Sequence, residues 1–331
     1  MSLSDTFYDE QDFLSSQTPI NLGVSACLMG EKVRYDGGHK KCDFLLDKLL
    51  PWVNITPFCP EVKAGLGIPR PAIRLAQIDS ELRVVGTKDS QLDVTETLNR
   101  ASDELCQQAS GLTGFLFCAK SPSCGMERVK VYDEKGNPLV ATRSGIFADK
   151  IRHQYPLLPC EENGRLNDDL LRNSFLTRLF CFARWQAMLR EGLNAARLLE
   201  FHSRHKYLLL AHSQSHYREA GKSLANLKSQ PIEVIAQHYL CILMAGLACV
   251  ATRKKHTNVL MHLQGYFKNH LEKSDKTALT EMILRYQQGL LPLSSPIEIL
   301  KHHLRHYPDD YLQIQYYFAP FPAQLNSSSV I

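Results

Sequence analysis

Three cysteines, each placed just beyond a short apolar segment, are the residues of this sequence best suited to chemistry. Cys27 follows the apolar residues 20–24, Cys59 follows residues 53–58, and Cys124 follows residues 114–117. Short apolar segments of this kind are typical of buried strands. Ligands of parallel sheets gather at the carboxyl ends of the strands, so we expect three thiols at one sheet edge.

Three thiols limit the chemistry that this edge can perform. They are too few for a closed tetrahedral zinc site, and the three cysteines include no Cys-x-x-Cys pair. Three thiolates suit an iron–sulfur cluster in which one iron stays open to a soft atom. Groups that could transfer protons or orient a substrate lie close in sequence: Glu61 and Ser121 as catalytic candidates, and Asp36 and Ser123 as substrate-binding candidates.

A buried cysteine is more often a small hydrophobic residue than a ligand, and this alternative applies to each thiol taken singly. Four cysteines in helical patterns are predicted to be core residues: Cys106, Cys181, Cys241 and Cys249. Cys118 is ambiguous. It is close enough to Cys124 to be a fourth ligand, but it precedes the turn and should point into the sheet.

The segments between the three predicted strands have helical spacing, over Asp43–Trp52 and Asp93–Ala109. Alternating strands and helices are typical of an α/β domain with a mainly parallel sheet. Two hairpins are also predicted, one over 72–86 and one from Val129 to Pro138.

From about residue 167 the periodicity is helical almost throughout, which predicts an all-α second domain. One uninterrupted helix is expected over Asn194–Tyr217. The predicted organisation is a polar N-terminal extension (1–17), the α/β domain (18–165), a connecting helix (166–190), the all-helical domain (191–322) and a disordered tail (323–331).

The composition is that of an ordinary globular protein, with 22% charged and 44% hydrophobic residues among 331. The first 17 residues lack the pattern of a signal peptide. The longest apolar run, 239–251, is shorter than the roughly 18 to 20 residues of a membrane span. We therefore predict a cytoplasmic protein without a membrane segment, whose ten cysteines are unpaired in that reducing compartment.

The second domain is basic and rich in histidine. From residue 191 onward the chain has 15 Lys and Arg against 10 Asp and Glu, and eleven of its thirteen histidines. This excess permits contact with nucleotides or RNA without requiring it. His202, His205 and His212 share a helical spacing, typical of a second metal site, a nucleotide-binding surface or buried hydrogen-bonded histidines. The lack of a carboxylate at ligand spacing favours the last of these.

Four ordered motifs resemble one known family. They are V-S-A-C-L-M-G from Val24, R-Y-D-G-G from Arg34, C-P-E from Cys59 and S-P-S-C-G from Ser121. With the loop at 65–71, they make residues 18–160 similar to the DUF523 family, whose characterised members are thiouracil desulfidases (TudS-like). The stretches beginning at Phe201, His256 and Pro292 make residues 190–322 resemble the DUF1722, or YbgA-like, family.

The first resemblance implies a [4Fe-4S] cluster held by Cys27, Cys59 and Cys124, with Glu61 and Ser121 assisting. The expected activity is a non-redox desulfidase that removes sulfur from thiolated pyrimidines of the 2-thiouracil or 4-thiouridine type. The substrate's sulfur would bind the iron that has no protein ligand and leave as hydrosulfide. Expected substrates are a base, nucleoside or nucleotide, including a tRNA-derived one. The alternative is an RNA- or protein-interaction module with a structural or redox-sensing cluster.

Overall fold

The computed structural model describes residues 19–326. The predicted extension at 1–17 and the tail from residue 327 lie outside the described residues. The described chain divides into two compact units, Pro19–Phe175 and Leu176–Asn326. The division falls inside the helix Asp169–Arg190.

The first unit contains a parallel sheet, as predicted. Its strands are β1 (Asn21–Ser25), β2 (Asn54–Phe58), β5 (Gly114–Phe117) and β8 (Cys160–Glu162), in the order β2-β1-β5-β8. All three pairings are parallel. The short strand β8 was not predicted, because three residues carry too little periodicity to be recognised.

Close packing holds β1 at the centre of this sheet. Leu22 and Val24 are fully buried. Between them, Gly23 leaves room for the Phe115 ring, since a Cβ there would lie 2.5 Å from that ring. The central strand and its partner β5 therefore have their relative position fixed by an aromatic side chain.

The two predicted hairpins are present and combine into a second sheet. Its strands are β3 (Ile73–Ile78), β4 (Glu81–Gly86), β6 (Val129–Tyr132) and β7 (Pro138–Arg143), in the order β4-β3-β6-β7. The hairpins join through a parallel pairing of β3 with β6. This long-range pairing has no signal in the local sequence.

Three α-helices complete the described part of the first unit: α1 (Pro60–Lys63), α2 (Thr95–Gln108) and α3 (Ile146–Gln154). The predicted helix over Asp43–Trp52 is helical but irregular. It consists of a π-helical turn, Phe44–Leu49, followed by a 3₁₀ turn, Leu50–Trp52. Pro51 lies in that second turn, where its missing N–H cannot join a regular helical ladder.

The second unit is helical in its described part, as predicted. Starting with the helix that enters it, the helices are α4 (Asp169–Arg190), α5 (Ala195–His212), α6 (Gln214–Ser223), α7 (Ile232–Ala248), α8 (Arg253–Tyr266), α9 (Lys273–Gln287), α10 (Ser294–His306) and α11 (Asp310–Gln313). Leu260, Ile283, Leu300 and Leu304 are fully buried in one shared core. Residues 323–325 form a 3₁₀ turn in which Leu325 is buried.

Two sequence predictions for this unit are wrong. The expected helix Asn194–Tyr217 is two helices, because Ser213 has an extended backbone and its hydroxyl accepts a hydrogen bond from the His216 amide. Cys241 is exposed rather than part of the core.

Among residues 19–326, no single helix has both the length and the apolarity needed to cross a membrane. Helices α7 and α8 meet these criteria only as a pair, and they are bent by 117° at the break between them.

Of the three histidines that share a helical spacing, His205 and His212 are buried and hydrogen-bonded, as the favoured alternative predicts, whereas His202 is only half-buried. His202 Nδ1 lies 3.3 Å from the Tyr239 hydroxyl. Other Nδ1 atoms bond to backbone or hydroxyl oxygens: His205 to Phe201, His212 to Cys249 and His256 to Tyr317. Burial lowers the pKa of His212 to about 4 and that of His256 to about 3.

These pKa shifts predict an acid-sensitive second unit. Unfolded histidine binds a proton near pH 6.5, whereas folded His212 and His256 stay neutral until pH 4 or below. The unfolded state therefore binds more protons between those pH values. The contribution of these histidines to the free energy of unfolding should be fully present above pH 6.5. It should fall as the pH drops towards 4, by up to about 1.4 kcal/mol per pH unit for each histidine.

The measurement is urea unfolding at several pH values in a Trp52→Phe background. Trp185, the second of the chain's two tryptophans, packs in this unit. In this background its fluorescence reports the unfolding of the second unit alone. His256→Gln should flatten the acid dependence, whereas the exposed His238→Gln should leave it unchanged. An equal slope in wild type and His256→Gln would contradict the assignment.

Candidate functional site

Cys27 lies in a tight turn at the carboxyl end of β1. Strand β1 ends at Ser25, and the 3₁₀ turn Ala26–Met29 follows immediately. Gly30 ends that turn with a φ of 90°, a conformation that glycine adopts without strain. The Lys40 amide donates to the Cys27 carbonyl at 2.9 Å. The Cys27 backbone is therefore tied to the loop that follows it.

Cys59 and Glu61 stand where β2 passes into α1. Pro60 occupies the first helical turn, where its missing N–H leaves no donor unpaired. Glu61 lies in the same turn, and its Oε2 is 3.5 Å from the Cys59 sulfur. The short helix thus places a carboxylate directly beside the second thiol.

The loop Ser121–Gly125 carries the third thiol and is held by the start of α3. The Ile146 amide donates to the Pro122 carbonyl, and the Phe147 amide donates to the Ser123 carbonyl. The first N–H groups of a helix have no partner within it, so this loop supplies their acceptors. Cys124 is thereby fixed by a helix that is distant in sequence.

Ser121 links this loop to Glu61. Its Oγ accepts from the amides of Ser123 and Cys124 at 3.2 and 3.0 Å. Its hydroxyl donates to Glu61 Oε1 at 3.5 Å. One carboxylate therefore contacts the Cys59 sulfur through one oxygen and the Ser121 hydroxyl through the other.

A buried carboxylate that sequence reasoning missed holds the far side of the loop. Glu162 on β8 is 3% exposed, and its Oε1 accepts from the amides of Met126 and Glu127 at 2.7 and 3.3 Å. Its neighbour Glu161 is paired with Arg165 at 2.6 Å. Neither position has a sequence signal, because β8 itself was not recognisable.

The thiols share one environment that disfavours their charged forms. Burial and the Glu61 carboxylate raise the pKa of Cys59 to about 12. Burial, with Glu61 contributing, also raises the pKa of Cys124. A hydrogen bond with Cys118, together with burial, raises the pKa of Cys27. The sulfurs thus keep their protons at neutral pH unless a cation replaces them.

Cys118, which the sequence left ambiguous, lies directly beyond β5 and is buried; its orientation into the sheet stays a prediction. The β1–β5 register pairs Val24 with Leu116, and its continuation puts Cys118 level with Ala26. The neighbouring Cys27 thiol lowers the pKa of Cys118, and the Cys118 Sγ donates to the Ala119 carbonyl at 3.9 Å. Its amide donates to the Ser25 hydroxyl at 3.0 Å.

The two predicted substrate-binding residues differ in setting. The Asp36 carboxylate is exposed, accepts from the Gly38 amide at 3.0 Å and lies 3.6 Å from Arg34. Ser123 is fully buried, and its hydroxyl has no partner among the described residues. A contact of either side chain with substrate stays a prediction.

The arrangement of the thiols suits a cluster better than a single metal ion. Within residues 19–326, no three His, Cys, Asp or Glu side chains are arranged to bind a single metal ion. A cubane cluster differs because each of its cysteines binds a different iron, so its ligands surround a volume instead of meeting at one point. Cys27, Cys59 and Cys124 are partly or fully buried and close enough to perturb each other's ionisation. They fit such a cluster.

The second unit has a separate cleft of about 570 Å³. Its lining includes three basic side chains, two tyrosines and no carboxylate: His202, Ser203, Lys206, Tyr217, Arg218, Gly221, Lys222, Ala225 and Tyr311. The Lys206 ammonium lies 4.7 Å from the centre of the Tyr311 ring. Cations beside aromatic rings are suited to an anionic ligand with planar groups.

Fold and site together define a protein that joins an α/β domain with a strand-end thiol site to a separate helical domain. Two family models match these parts: 2-thiouracil desulfurase over residues 22–163 and DUF1722, a protein family of unknown function, over residues 206–322. The uncharacterized protein YbgA of Escherichia coli K12 is 36% identical over 155 residues, which cover 46% of this chain and 92% of that protein.

The chain therefore belongs to the DUF1722 (YbgA-type) family and carries a domain of the 2-thiouracil desulfurase family ahead of it. Among solved structures, a [4Fe-4S]-dependent thiouracil desulfidase, TudS, matches with a TM-score of 0.36 and 29% identity. That match covers 45% of this chain and 93% of the other.

The packing around Gly125 predicts that the loop tolerates no side chain there. A Cβ would lie 2.4 Å from Val129 and 2.7 Å from the Ser121 carbonyl oxygen. Gly125→Ala should destabilise the first unit by about 1 to 3 kcal/mol, the usual range for overpacking. Hydrogen exchange followed by mass spectrometry should show faster exchange confined to the segment around Cys124.

Gly265→Ala is the matched control, because no atom outside its own helical turn lies within 4 Å of the added Cβ. Alanine is the better helix former, so this variant should be as stable as wild type or slightly more so. Equal exchange around Cys124 in both variants would contradict the packing assignment.

Proposed function

We propose that this protein is a [4Fe-4S]-dependent desulfidase that exchanges the sulfur of a thiolated pyrimidine, of the 2-thiouracil or 4-thiouridine type, for oxygen from water. The family match over residues 22–163 supports this activity. The observation that carries the proposal is the Glu61 carboxylate, which lies 3.5 Å from both the Cys59 sulfur and the Ser121 hydroxyl. The proposal includes a cytoplasmic location.

Cys27, Cys59 and Cys124 would hold the cluster. When bound, such a cluster supplies an iron with an open position, a Lewis acid suited to a thiocarbonyl sulfur. The net reaction converts a thione and water into the oxo compound, hydrosulfide and a proton. The carbon keeps its oxidation state, so no external electron donor is required.

Glu61 would act as the general base. It belongs to the first turn of a helix and is only half-buried, so part of its side chain is open to water. Its Oε1 is the oxygen that faces Ser121. It would take a proton from the attacking water. Ser121 would orient the substrate or pass the proton on, since its hydroxyl is already fixed by two backbone amides.

The decisive variant is Glu61→Gln, which keeps the shape of the side chain and removes the base. Hydrosulfide release from 2-thiouracil or 4-thiouridine should slow by about 10²- to 10⁴-fold, the usual contribution of a general acid–base group. The anaerobically purified variant should keep about four irons per chain, as one cubane requires. Cys27→Ala should lose both the iron and the activity.

The exposed Glu96→Gln is the control and should release hydrosulfide at the wild-type rate. Unchanged turnover in Glu61→Gln would overturn its catalytic role. A wild-type chain without iron under strict anaerobiosis, or a loaded chain that desulfurates no thione, would overturn the proposed function.

A second candidate function is favoured by the cleft of the helical unit. Its basic side chains and tyrosines are suited to phosphates and stacked bases. The chain could thus act on a thiolated base within tRNA. Alternatively, it could be an RNA-interaction module whose cluster is structural or redox-sensing. RNA affinity without turnover of any thione, in tRNA or free, would favour the module.

Arg218→Ala combined with Lys222→Ala tests this cleft, because both side chains are exposed and line it. Affinity for thiolated tRNA should fall, and the slope of log affinity against log salt should shrink by about 1 for each phosphate that the variant no longer neutralises. Lys228→Ala, an exposed lysine that is not among the lining residues, should change neither. Equal affinity and slope in all three proteins would exclude the cleft as an RNA site.

A further inference from the structure

The cleft of the helical unit has the size of a small-molecule site. Its volume is about 570 Å³, within the range of roughly 300 to 1,000 Å³ that is usual for pockets that bind a small ligand. Helix α5 lines it with His202 and Lys206, which are four residues apart, and helix α6 lines it with Arg218 and Lys222 at the same spacing. Two helix faces therefore bring four nitrogen-bearing side chains to one concave space.

The three cations of this cleft lack an acidic partner in the part of the chain that the structure describes. Within residues 19–326, none of Lys206, Arg218 and Lys222 forms an ion pair. By contrast, Arg204 on α5 pairs with Glu200 at 2.7 Å. Like charges four residues apart on one helix repel each other, as the exposed Arg218 and Lys222 do. A ligand with more than one negative charge would relieve this repulsion.

Lys206 is held in place by aromatic rings. Its ammonium lies 4.7 Å from the centre of the Tyr311 ring and 5.3 Å from that of Tyr207. The Tyr207 hydroxyl lies 2.9 Å from that of Tyr266, whose ring stacks on Tyr311 at 6.3 Å. Aromatic faces attract a cation without neutralising its charge, so Lys206 can still pair with an anion that enters the cleft.

His202 adds a neutral donor to the same cleft. Its Nδ1 lies 3.3 Å from the hydroxyl of Tyr239, which is fully buried. A buried phenol that keeps its proton unpaired is costly, and His202 Nδ1 is the acceptor beside it. The imidazole is neutral at pH 7, because burial and the Lys206 ammonium lower its pKa to about 4. Its one proton is therefore on Nε2, on a ring that borders the cleft.

We propose that this cleft binds the phosphomonoester group of a nucleotide. The three cations neutralise the phosphate, and His202 Nε2–H donates to one of its oxygens. A phosphomonoester carries roughly 1.5 to 2 negative charges at pH 7, whereas each phosphodiester of an RNA backbone carries one. Tyr217, which also lines the cleft, supplies aromatic surface for the base. The choice of a nucleotide over another phosphate ester rests on the function proposed above, because that substrate is a pyrimidine.

The experiment measures binding to the full-length protein by isothermal titration calorimetry, with no thione present. Uridine 5′-monophosphate should bind about tenfold or more tightly than uridine. Lys206→Met should weaken binding of the monophosphate by about 10- to 100-fold, as expected for the loss of a hydrogen bond between charged groups, and leave uridine unchanged. The controls Lys228→Ala and His238→Gln, both exposed and outside the lining, should match wild type.

The donor role of His202 is tested in the wild-type chain by nitrogen-15 NMR of its imidazole, assigned by comparison with His202→Gln. The free protein should have the proton on Nε2. Uridine 5′-monophosphate should shift the Nε2 resonance, and uridine should not. A proton on Nδ1, or no shift at saturation, would overturn the role of His202 as the donor.

Two oligouridylates, one with a 5′-phosphate and one with a 5′-hydroxyl, distinguish the sources of the phosphate. If the phosphorylated oligomer binds more tightly than both the monophosphate and the hydroxyl oligomer, the ligand is an RNA end. If the monophosphate binds more tightly than either, the ligand is a free nucleotide. Equal binding of both oligomers, tighter than the monophosphate, would overturn the inference in favour of the RNA backbone.

Equal affinity for uridine and its monophosphate, or unchanged affinity in Lys206→Met, would also overturn the inference. None of these measurements requires turnover. A chain that prefers the monophosphate but desulfurates no thione would overturn only the proposed function, so the two failures are distinguishable.

Discussion

The parallel pairing of β1 with β2 on one side and β5 on the other is the constraint on which the site depends. It brings the carboxyl ends of three strands to one edge of the sheet. Each thiol then lies in the first turn or loop beyond its strand. Gly23, packed against the Phe115 ring, sets how closely β1 and β5 approach. A shift of one residue in the register of β5 against β1 would turn the side chains of β5 to the opposite face of the sheet. It would also separate Cys118 from Cys27.

The strand ends bring the thiols near each other, but polar contacts between the loops fix their final arrangement. The Ser121 hydroxyl and Glu61 connect the third loop to the second. The N-terminal amides of α3 bind the carbonyls of the third loop, and Glu162 binds the amides that follow Cys124. The loop has little regular structure of its own, so its shape comes from donors and acceptors on elements far away in sequence.

The sequence predicted those parts of the structure that leave a local pattern. The strands before Cys27, Cys59 and Cys124 are marked by short apolar segments, the hairpins by turn residues and weak alternation, and the second unit by clear helical periodicity. The parallel pairing of β3 with β6 and the short strand β8 depend on tertiary structure and could not be predicted from neighbouring residues. The break at Ser213 was missed because the apolar spacing continues through a serine whose side chain caps the next helix.

The electrostatics of the thiol site bear on both parts of the proposed function, the cluster and the base. Burial and the nearby carboxylate of Glu61 oppose ionisation of Cys59 and Cys124. Several negative charges so close together would therefore be unstable without a cation. The proposed cluster would remove that conflict, because Cys59 and Cys124 would give up their protons to bind its cationic core, which would also attract the remaining charge. The Glu61 carboxylate would then no longer face unscreened thiolates and could serve as the proposed base. The same carboxylate that disfavours an empty, ionised site would thus become useful only when the cluster is in place.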